Sequence, residues 1–462
     1  MTSLFNFIDG RSSEGTKELL AQISPLTLKE TRLFVHSDFM DVVAAVQSAN
    51  KAKKKWQETS AQERKRLLKR LGELIQEHFD LFIQYECEDS GIPLEASRKL
   101  CKKAVENYQE CIEFEKRFDL KSRQSVTQFQ LSSPVGVVGI VTDWQQSFLV
   151  ILENLAISLT CANLVILNPS EFGMRSALKL AELAVLAQIP AGVFNVLLGR
   201  GESLAVHLVE HPGIKHVRFY GENSVGEKLH KLAAENQKRM TSVMGVNNTA
   251  IVFSDSNLKE SIDKILELGC EFHLYGRNRI NRILVQEKIL EAFKLEFGEQ
   301  LAGLNKSVIG PLPSVQLTQQ FESYLAQSKI DRAKVYLSMS LNSENQVPLT
   351  IYEDLTNCST LHQQDLIGPI LFLQSFKYAV DLAKVLNSGT YASTAYIWTN
   401  DIVRIHKISQ QLELARIFFN PRAALVNEDS LYSTILKQSG LGSDGREALF
   451  DFNLNTRTVQ IG

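Results

Sequence analysis

The chain has 462 residues, 44% of them hydrophobic, with 50 Lys and Arg against 52 Asp and Glu and a formal charge of -2. That length suits two or three domains with a large core, and the near balance of charge argues against a protein that coats nucleic acid. Six cysteines (Cys87, Cys101, Cys111, Cys161, Cys270 and Cys358) lie scattered without CxxC spacing, which excludes a disulfide framework or zinc site and suits a reducing compartment.

Met1 to Gly15 carries Asp9 and no basic leader, so no signal peptide is expected. No apolar run reaches the length of a membrane span. The expectation is a cytoplasmic protein with neither nucleic-acid nor membrane partners. Residues 37 to 117 are helical in pattern. Asp38 to Trp56 is one amphipathic stretch, and Ser60 followed by Glu63 has the spacing of a capping box that opens the next. Leu67, Leu68, Leu71, Leu74 and Ile75 share its apolar face. Gly91-Ile-Pro93 then separates a third helix, Leu94 to Phe118. The basic cluster from Lys51 to Arg70 reads as the solvated side of these helices.

Residues 119 to 133 are polar and extended, a strand that could pair outside its own domain. Two nearly continuous apolar runs follow, Val135–Thr142 and Ala162–Leu167, with a helix-length segment between them. Runs of this kind read as strands buried on both faces, and strand, helix, strand is the unit of a doubly wound α/β sheet. Ligands of such sheets sit beyond the carboxyl ends of the strands, here Thr142-Asp143-Trp144-Gln145 and Asn168-Pro169-Ser170-Glu171. Helix Ser176 to Gln188, strand Val193 to Leu197, helix Gly201 to His211 and strand Lys215 to Tyr220 continue the pattern. The last strand ends in Gly221-Glu-Asn-Ser-Val-Gly226 before a helix at Glu227–Asn236. A G-x-x-x-x-G turn ahead of a helix can cradle phosphate, but Glu222 places a negative charge in the turn itself.

A second α/β region begins at Ala250-Ile-Val-Phe253. It runs through helix Leu258–Leu274, strand Arg282–Gln286, helix Lys288–Phe297, strand Ile367–Leu373, helix Ala379–Leu386 and strand Ala395–Thr399. Ser439-Gly-Leu-Gly442 and the extended stretch to Ile461 close the chain.

In this order, P-V-G-V-V-G-I-V-T-x-W, L-N-P-S-E, I-P-A-G-V-F-N-V-L-L-G, F-Y-G-E-N-S-V-G, N-R-I-L-V-Q-E, I-G-P-I-L and S-G-L-G make the chain resemble the NAD(P)-dependent aldehyde dehydrogenase superfamily. The resemblance implies a Rossmann-like dinucleotide-binding domain (1–118 and 134–246), a catalytic-type α/β domain (247–435) and an oligomerisation element (119–133 and 436–462), in a dimer or tetramer. It also implies a mechanism: a cysteine thiolate attacks the aldehyde, hydride leaves to the nicotinamide, and a glutamate activates water, with an asparagine holding the oxyanion.

This chain departs from that set. The nucleophile position falls on Arg277 or Asn278, according to whether the loop is anchored on Asn281-Arg282 or on Gly269. The general base falls on Val243, which has no proton site. The oxyanion asparagine falls on Gln145. On the cofactor side the ribose-binding lysine is Asn168, while Trp144 and Glu171 are retained. Glu222 replaces the serine that would meet the pyrophosphate between Gly221 and Gly226, and Asp365 replaces the glutamate for the nicotinamide ribose. The cofactor expectation is therefore none, or NAD(P) held weakly.

Three further readings stand beside this one. Cys270, with His273 one turn on, is the nearest alternative nucleophile, although a buried structural cysteine is the default for its helical stretch. Cys358, near His362, matches no nucleophile loop, and the other cysteines read as structural. Arg277, Arg279 and Arg282 could receive an anionic small molecule in the cleft, or could pair with Glu271 and Glu287. Finally, both oligomerisation strands persist in recognisable form, so assembly could itself be the role. The overall expectation is an inactive member of the family with a scaffold or ligand-binding role.

Overall fold

The computed structural model describes residues 3–15, 18–114, 121–123, 128–145, 147–271, 277–305, 309–339, 346–353, 355, 359–392, 394–421 and 432–461. His273 and Cys358, named above as parts of alternative sites, lie outside the described residues.

The first large sheet has eight strands in the order Gly440–Leu441, Arg239–Val243, Ile214–Tyr220, Val137–Val141, Leu164–Asn168, Phe194–Val196, Asn6–Ile8, Arg11–Ser13. Its five middle strands are parallel. Val137–Val141, Leu164–Asn168 and Phe194–Val196 are buried along their length, as a sheet covered on both faces requires. The chain winds from Val137–Val141 out through Leu164–Asn168 and Phe194–Val196. It then crosses back to lay Ile214–Tyr220 on the other side of Val137–Val141. That reversal is the topological switch point, where a doubly wound sheet opens a crevice at its carboxyl edge.

The second large sheet has seven strands in the order Lys334–Met339, Leu349–Glu353, Ile370–Phe376, Ile280–Gln286, Asn248–Val252, Thr394–Trp398, Arg416–Phe419. Only the first of these is antiparallel to its neighbour. Each large sheet has its own main apolar core. Ile92, Ala96 and Leu100 lie in the second core, so the start of helix Leu94–Phe114 packs against the second sheet. Among the described residues, no helix is long and apolar enough to cross a membrane.

Several expectations need correction. The first helix is Phe39–Glu58, and the complete capping box belongs to it: Asp38 accepts from the amides of Met40 and Asp41, while the Asp41 carboxylate accepts from the Asp38 amide. Ser60 makes only half of a box. Its hydroxyl accepts from the Glu63 amide at 3.2 Å, but the Glu63 carboxylate is taken by Arg66 at 2.7 and 2.8 Å. The second helical stretch divides at His78 into Ala61–Glu77 and Phe79–Ser90. The His78 backbone leaves helical geometry there, and its ring lies 2.9 Å from the Leu74 carbonyl. The N-terminal strands, including Leu19–Ile23 paired with Glu30–Val35, went unread because they are short and carry no long apolar run. The helix expected over Leu258–Leu274 is Leu258–Leu266 followed by a π-helical turn, Glu267–Glu271.

The polar strand Gln128–Pro134 pairs antiparallel with Leu454–Gln460 over seven residues, and on its other side with Lys121–Arg123. This three-stranded sheet is separate from both large ones. The intervening C-terminal stretch goes elsewhere. Gly440–Leu441 extends the first large sheet, and helix Arg446–Phe452 buries Leu449, Phe450 and Phe452 in the core of that sheet.

Candidate functional site

The carboxyl ends of the first sheet face the amino ends of strands in the second. Asp143, Trp144 and Gln145 follow strand Val137–Val141, while Tyr220 and Val243 end neighbouring strands and sit side by side in register. Opposite them, residues 277 to 279 lead into strand Ile280–Gln286, and Asp365 precedes strand Ile370–Phe376.

Residues 277 to 279 are held from below by side chains. Asn248 donates its amide to the carbonyls of Arg277 (2.7 Å) and Arg279 (2.9 Å), and the Tyr396 hydroxyl donates to the Asn278 carbonyl (3.1 Å). With the backbone fixed, the two guanidinium groups cross the crevice. Arg277 donates Nη2 to the Asp143 carboxylate at 2.7 Å and Nη1 to the Met244 carbonyl, and it lies over the Tyr220 ring. Arg279 is almost wholly buried, with 1% of its side chain exposed. It donates to the Leu366 carbonyl at 3.0 Å, to the Gln145 side-chain oxygen at 3.1 Å and to the Asp365 carboxylate. Arg282 turns elsewhere and grips the Gln374 side-chain oxygen at 2.6 and 2.9 Å.

These contacts give the arginines partners other than an awaited anion. Arg277 and Arg279 each find a carboxylate far away in sequence, and a charge-assisted bond of this kind spends the fork that a ligand would need. Burial raises the Asp143 carboxyl above its ordinary value, while Arg277 opposes the rise.

Asn278, at the alternative nucleophile position, is buried. Val243, at the base position, is buried against Val150 and Tyr220. Gln145 accepts from Arg279 through its amide oxygen, which fixes the side chain on that arginine. Cys270 is fully buried in the core of the second sheet, and burial pushes its thiol up to about 12. A thiol with that value is protonated at neutral pH and is not a nucleophile.

Behind Val243 lies a small enclosed cavity of about 60 Å³, reached by Arg277, Tyr220, Glu153, Arg416 and Asp444. Its polar wall is a network that sequence reasoning missed. The Tyr220 hydroxyl accepts from Asn154 (2.9 Å) and from Arg218 (2.7 Å). Asp444 binds Arg218 at 2.5 Å and Arg416 at 2.6 Å. Burial pushes the Asp444 carboxyl up, but Arg416 and Arg218 together outweigh it and leave the group below its ordinary value.

At the switch point itself, Thr142, Trp144, Glu171 and Glu222 line an open cleft of about 320 Å³. Asn168 is buried beneath it, with its amide turned to the carbonyls of Pro169 and Leu197. The glycine turn departs from the phosphate-cradle expectation. Helix Asn223–Glu235 starts three residues before Gly226, and a Cβ on Gly226 would lie 2.1 Å from the Met244 sulfur. Gly226 therefore serves close packing inside the helix, not backbone approach to a ligand. Glu222 is the residue ahead of that helix, but its carboxylate makes no capping bond. Burial raises the Glu222 carboxyl, helped by Asp365, Asp143 and Glu202. A second recess of about 250 Å³ adjoins at Glu222 and carries Asp365, Tyr324 and Tyr391.

The Aldehyde dehydrogenase family model matches residues 11–459. The chain is 26% identical over 485 residues to the 2-aminomuconic semialdehyde dehydrogenase of Homo sapiens, with 99% of this chain and 98% of that protein covered. It is 28% identical over 479 residues to the mitochondrial succinate-semialdehyde dehydrogenase of Oryza sativa subsp. japonica, covering 98% and 87%. Among solved structures, an NAD-dependent aldehyde dehydrogenase from Sinorhizobium meliloti superposes with a TM-score of 0.94 at 24% identity, over 100% of this chain and 95% of that one. KauB from Pseudomonas aeruginosa superposes at 0.93 and 25% identity, covering 100% and 97%.

Proposed function

Since the chain belongs to the aldehyde dehydrogenase family, we propose that it is a member that does not oxidise aldehydes through a thiol and that keeps the fold as a scaffold or ligand-binding body. The observation that carries this reading is the Arg277–Asp143 ion pair. It fills the place where a nucleophile would meet an aldehyde with a cation already bound to its own counter-charge. Val243 supplies no base beside it, and Gln145 holds its amide oxygen on Arg279. The chemistry needs a thiolate, a proton acceptor and an oxyanion donor within reach of one carbon, and none of these three meets at Arg277.

The cleft at the switch point does not fit NAD(P). Its lining carries four carboxylates, Asp143, Glu171, Glu202 and Glu222, against the single guanidinium of Arg200. A diphosphate placed there would meet like charge. The test is to incubate the protein with a panel of aldehydes and NAD or NADP and to follow absorbance of the reduced cofactor. No turnover is expected. Turnover that vanishes in Cys270→Ser would overturn the reading and install Cys270 as the nucleophile.

The domain division given above and a cytoplasmic setting belong to the same proposal, as does self-association through the sheet that pairs Gln128–Pro134 with Leu454–Gln460. Among the described residues, both outer strands of that sheet have an edge without a partner strand, which a second copy could pair with. Light scattering should report a dimer or tetramer, and a strict monomer would remove the scaffold half of the proposal.

A further inference from the structure

We propose that the cleft at the switch point of the first sheet binds a small organic ammonium ion, a primary or secondary alkylamine in its protonated form. The inference rests on the preceding reading in one respect: the cleft must be free of dinucleotide.

Two kinds of surface meet there. One is aromatic: Trp144, Phe172, Phe219 and Tyr220 all contribute to the wall. The other is anionic, with four carboxylates against one guanidinium. Aromatic faces and carboxylates in one recess are the combination that attracts an organic cation, because the ring quadrupole and the full charge act together on a weakly hydrated ligand. A volume of about 320 Å³ is at the small end of ordinary ligand pockets.

The carboxylates are not equally occupied. Asp143 is engaged by Arg277 at 2.7 Å, and Glu202 by Lys228 at 2.8 Å. The Glu171 carboxyl is raised by burial, with Arg200 opposing. The Glu222 carboxylate leaves its helix amides uncapped. It stands in the field of Asp365, Asp143 and Glu202 with its carboxyl raised, and a bound cation would relieve that repulsion.

An independent observation points to a ligand with N–H groups. Thr142 lines the cleft and is 4% exposed, yet its hydroxyl has no hydrogen-bond partner among the described residues. A buried hydroxyl left unpaired is costly, and an ammonium N–H can supply its missing bond. That preference separates primary and secondary amines from quaternary ones.

The test is calorimetric titration of the full chain with hexylammonium chloride, beside 1-hexanol as a neutral ligand of like shape. Saturable binding of hexylammonium is expected, at least roughly tenfold tighter than 1-hexanol and weakened roughly tenfold in Glu222→Gln. Because Glu222 is solvent-accessible, this variant should fold, and circular dichroism checks that it does. If it does not, the wild-type affinity must still fall as salt rises from about 20 to 500 mM. Equal affinity for the alcohol, or no saturable binding of hexylammonium up to about 10 mM, overturns the proposal. A parallel titration with NAD keeps the two readings apart. Tight NAD binding overturns the claim that the cleft rejects dinucleotides, whereas absence of both ligands overturns only the ammonium site.

Discussion

The ion pair between Arg277 and Asp143 joins the two large sheets, and its worth can be measured. The two side chains are 10% and 16% exposed, so the pair lies between the limits of water and dry interior. Two unit charges about 4 Å apart at an effective dielectric near 20 attract by about 4 kcal/mol, most of it spent on desolvation. Removing one partner forfeits the attraction and leaves the other charge buried, at a cost of about 3 kcal/mol. Arg277→Met should therefore destabilise the protein by about 3 kcal/mol. It should cost about 1 kcal/mol more than Asp143→Leu, because it also strips the donor from the Met244 carbonyl. The double variant should recover most of the loss, since an apolar pair carries no desolvation cost. Urea denaturation followed by Trp fluorescence reads all three, with Trp144 beside the pair. A coupling energy of at least about 2 kcal/mol is expected. Single effects that add to within about 0.5 kcal/mol would show that the two charges do not hold the cleft.

Two pH effects follow from the carboxyls and run in opposite directions. The folded Asp444 carboxyl lies below its ordinary value of 3.8. Its contribution is fully present above that value and is lost as pH falls through the folded one. Asp444→Asn should cost about 2–3 kcal/mol at neutral pH, because Arg218 is left buried, and should flatten the loss of stability below pH 4 seen by thermal denaturation. Glu86 is the reverse case. Burial lifts its carboxyl to about 7 from 4.5, although Ser176 donates to it. Its stabilisation is present below 4.5 and declines as pH rises towards 7. Glu86→Gln should therefore stabilise the protein at pH 8 by about 1–2 kcal/mol and make no difference near pH 4, where a gain would refute the assignment.

The sequence carried the fold where local signals were strong. Val137–Val141 and Leu164–Asn168 are apolar throughout, so their identity as buried strands could be read without knowing what covers them. The short strands Asn6–Ile8 and Arg11–Ser13 have no such run. They pair with each other, and the pairing of Asn6–Ile8 with Phe194–Val196 joins residues 7 and 196. The same limit applies to the site. Residue types at 145, 243 and 277 raised the expectation of an altered site. Nothing in the linear order announced that Arg277 would meet Asp143, or that Arg218 and Arg416 would share Asp444. The local acids Glu271 and Glu287 were the nearer choice by sequence, whereas Asp143 lies 134 residues from Arg277. The one available signal was Asp143 itself, an acid at the tip of an otherwise apolar strand.

The pattern of these charges constrains what kind of alteration the cleft represents. A lone arginine introduced at position 277 would bring an uncompensated cation against the buried residues Val243 and Tyr220, at a cost of several kcal/mol. Here Asp143 answers Arg277, Asp365 and the Gln145 oxygen answer Arg279, and Asp444 answers two arginines at once. Each buried charge is offset only in the presence of its partner. The centre is cross-linked by these side chains, although Arg277 Nε and the Thr142 hydroxyl are left unpaired among the described residues, and the cavity behind Val243 is about 60 Å³. The open space that remains lies on the other side of Asp143, where the charge balance is negative. The closed centre and the anionic cleft meet at Asp143, which faces Arg277 on one side and lines the cleft on the other, so changing it should perturb the joint between the sheets and the field felt by any ligand together.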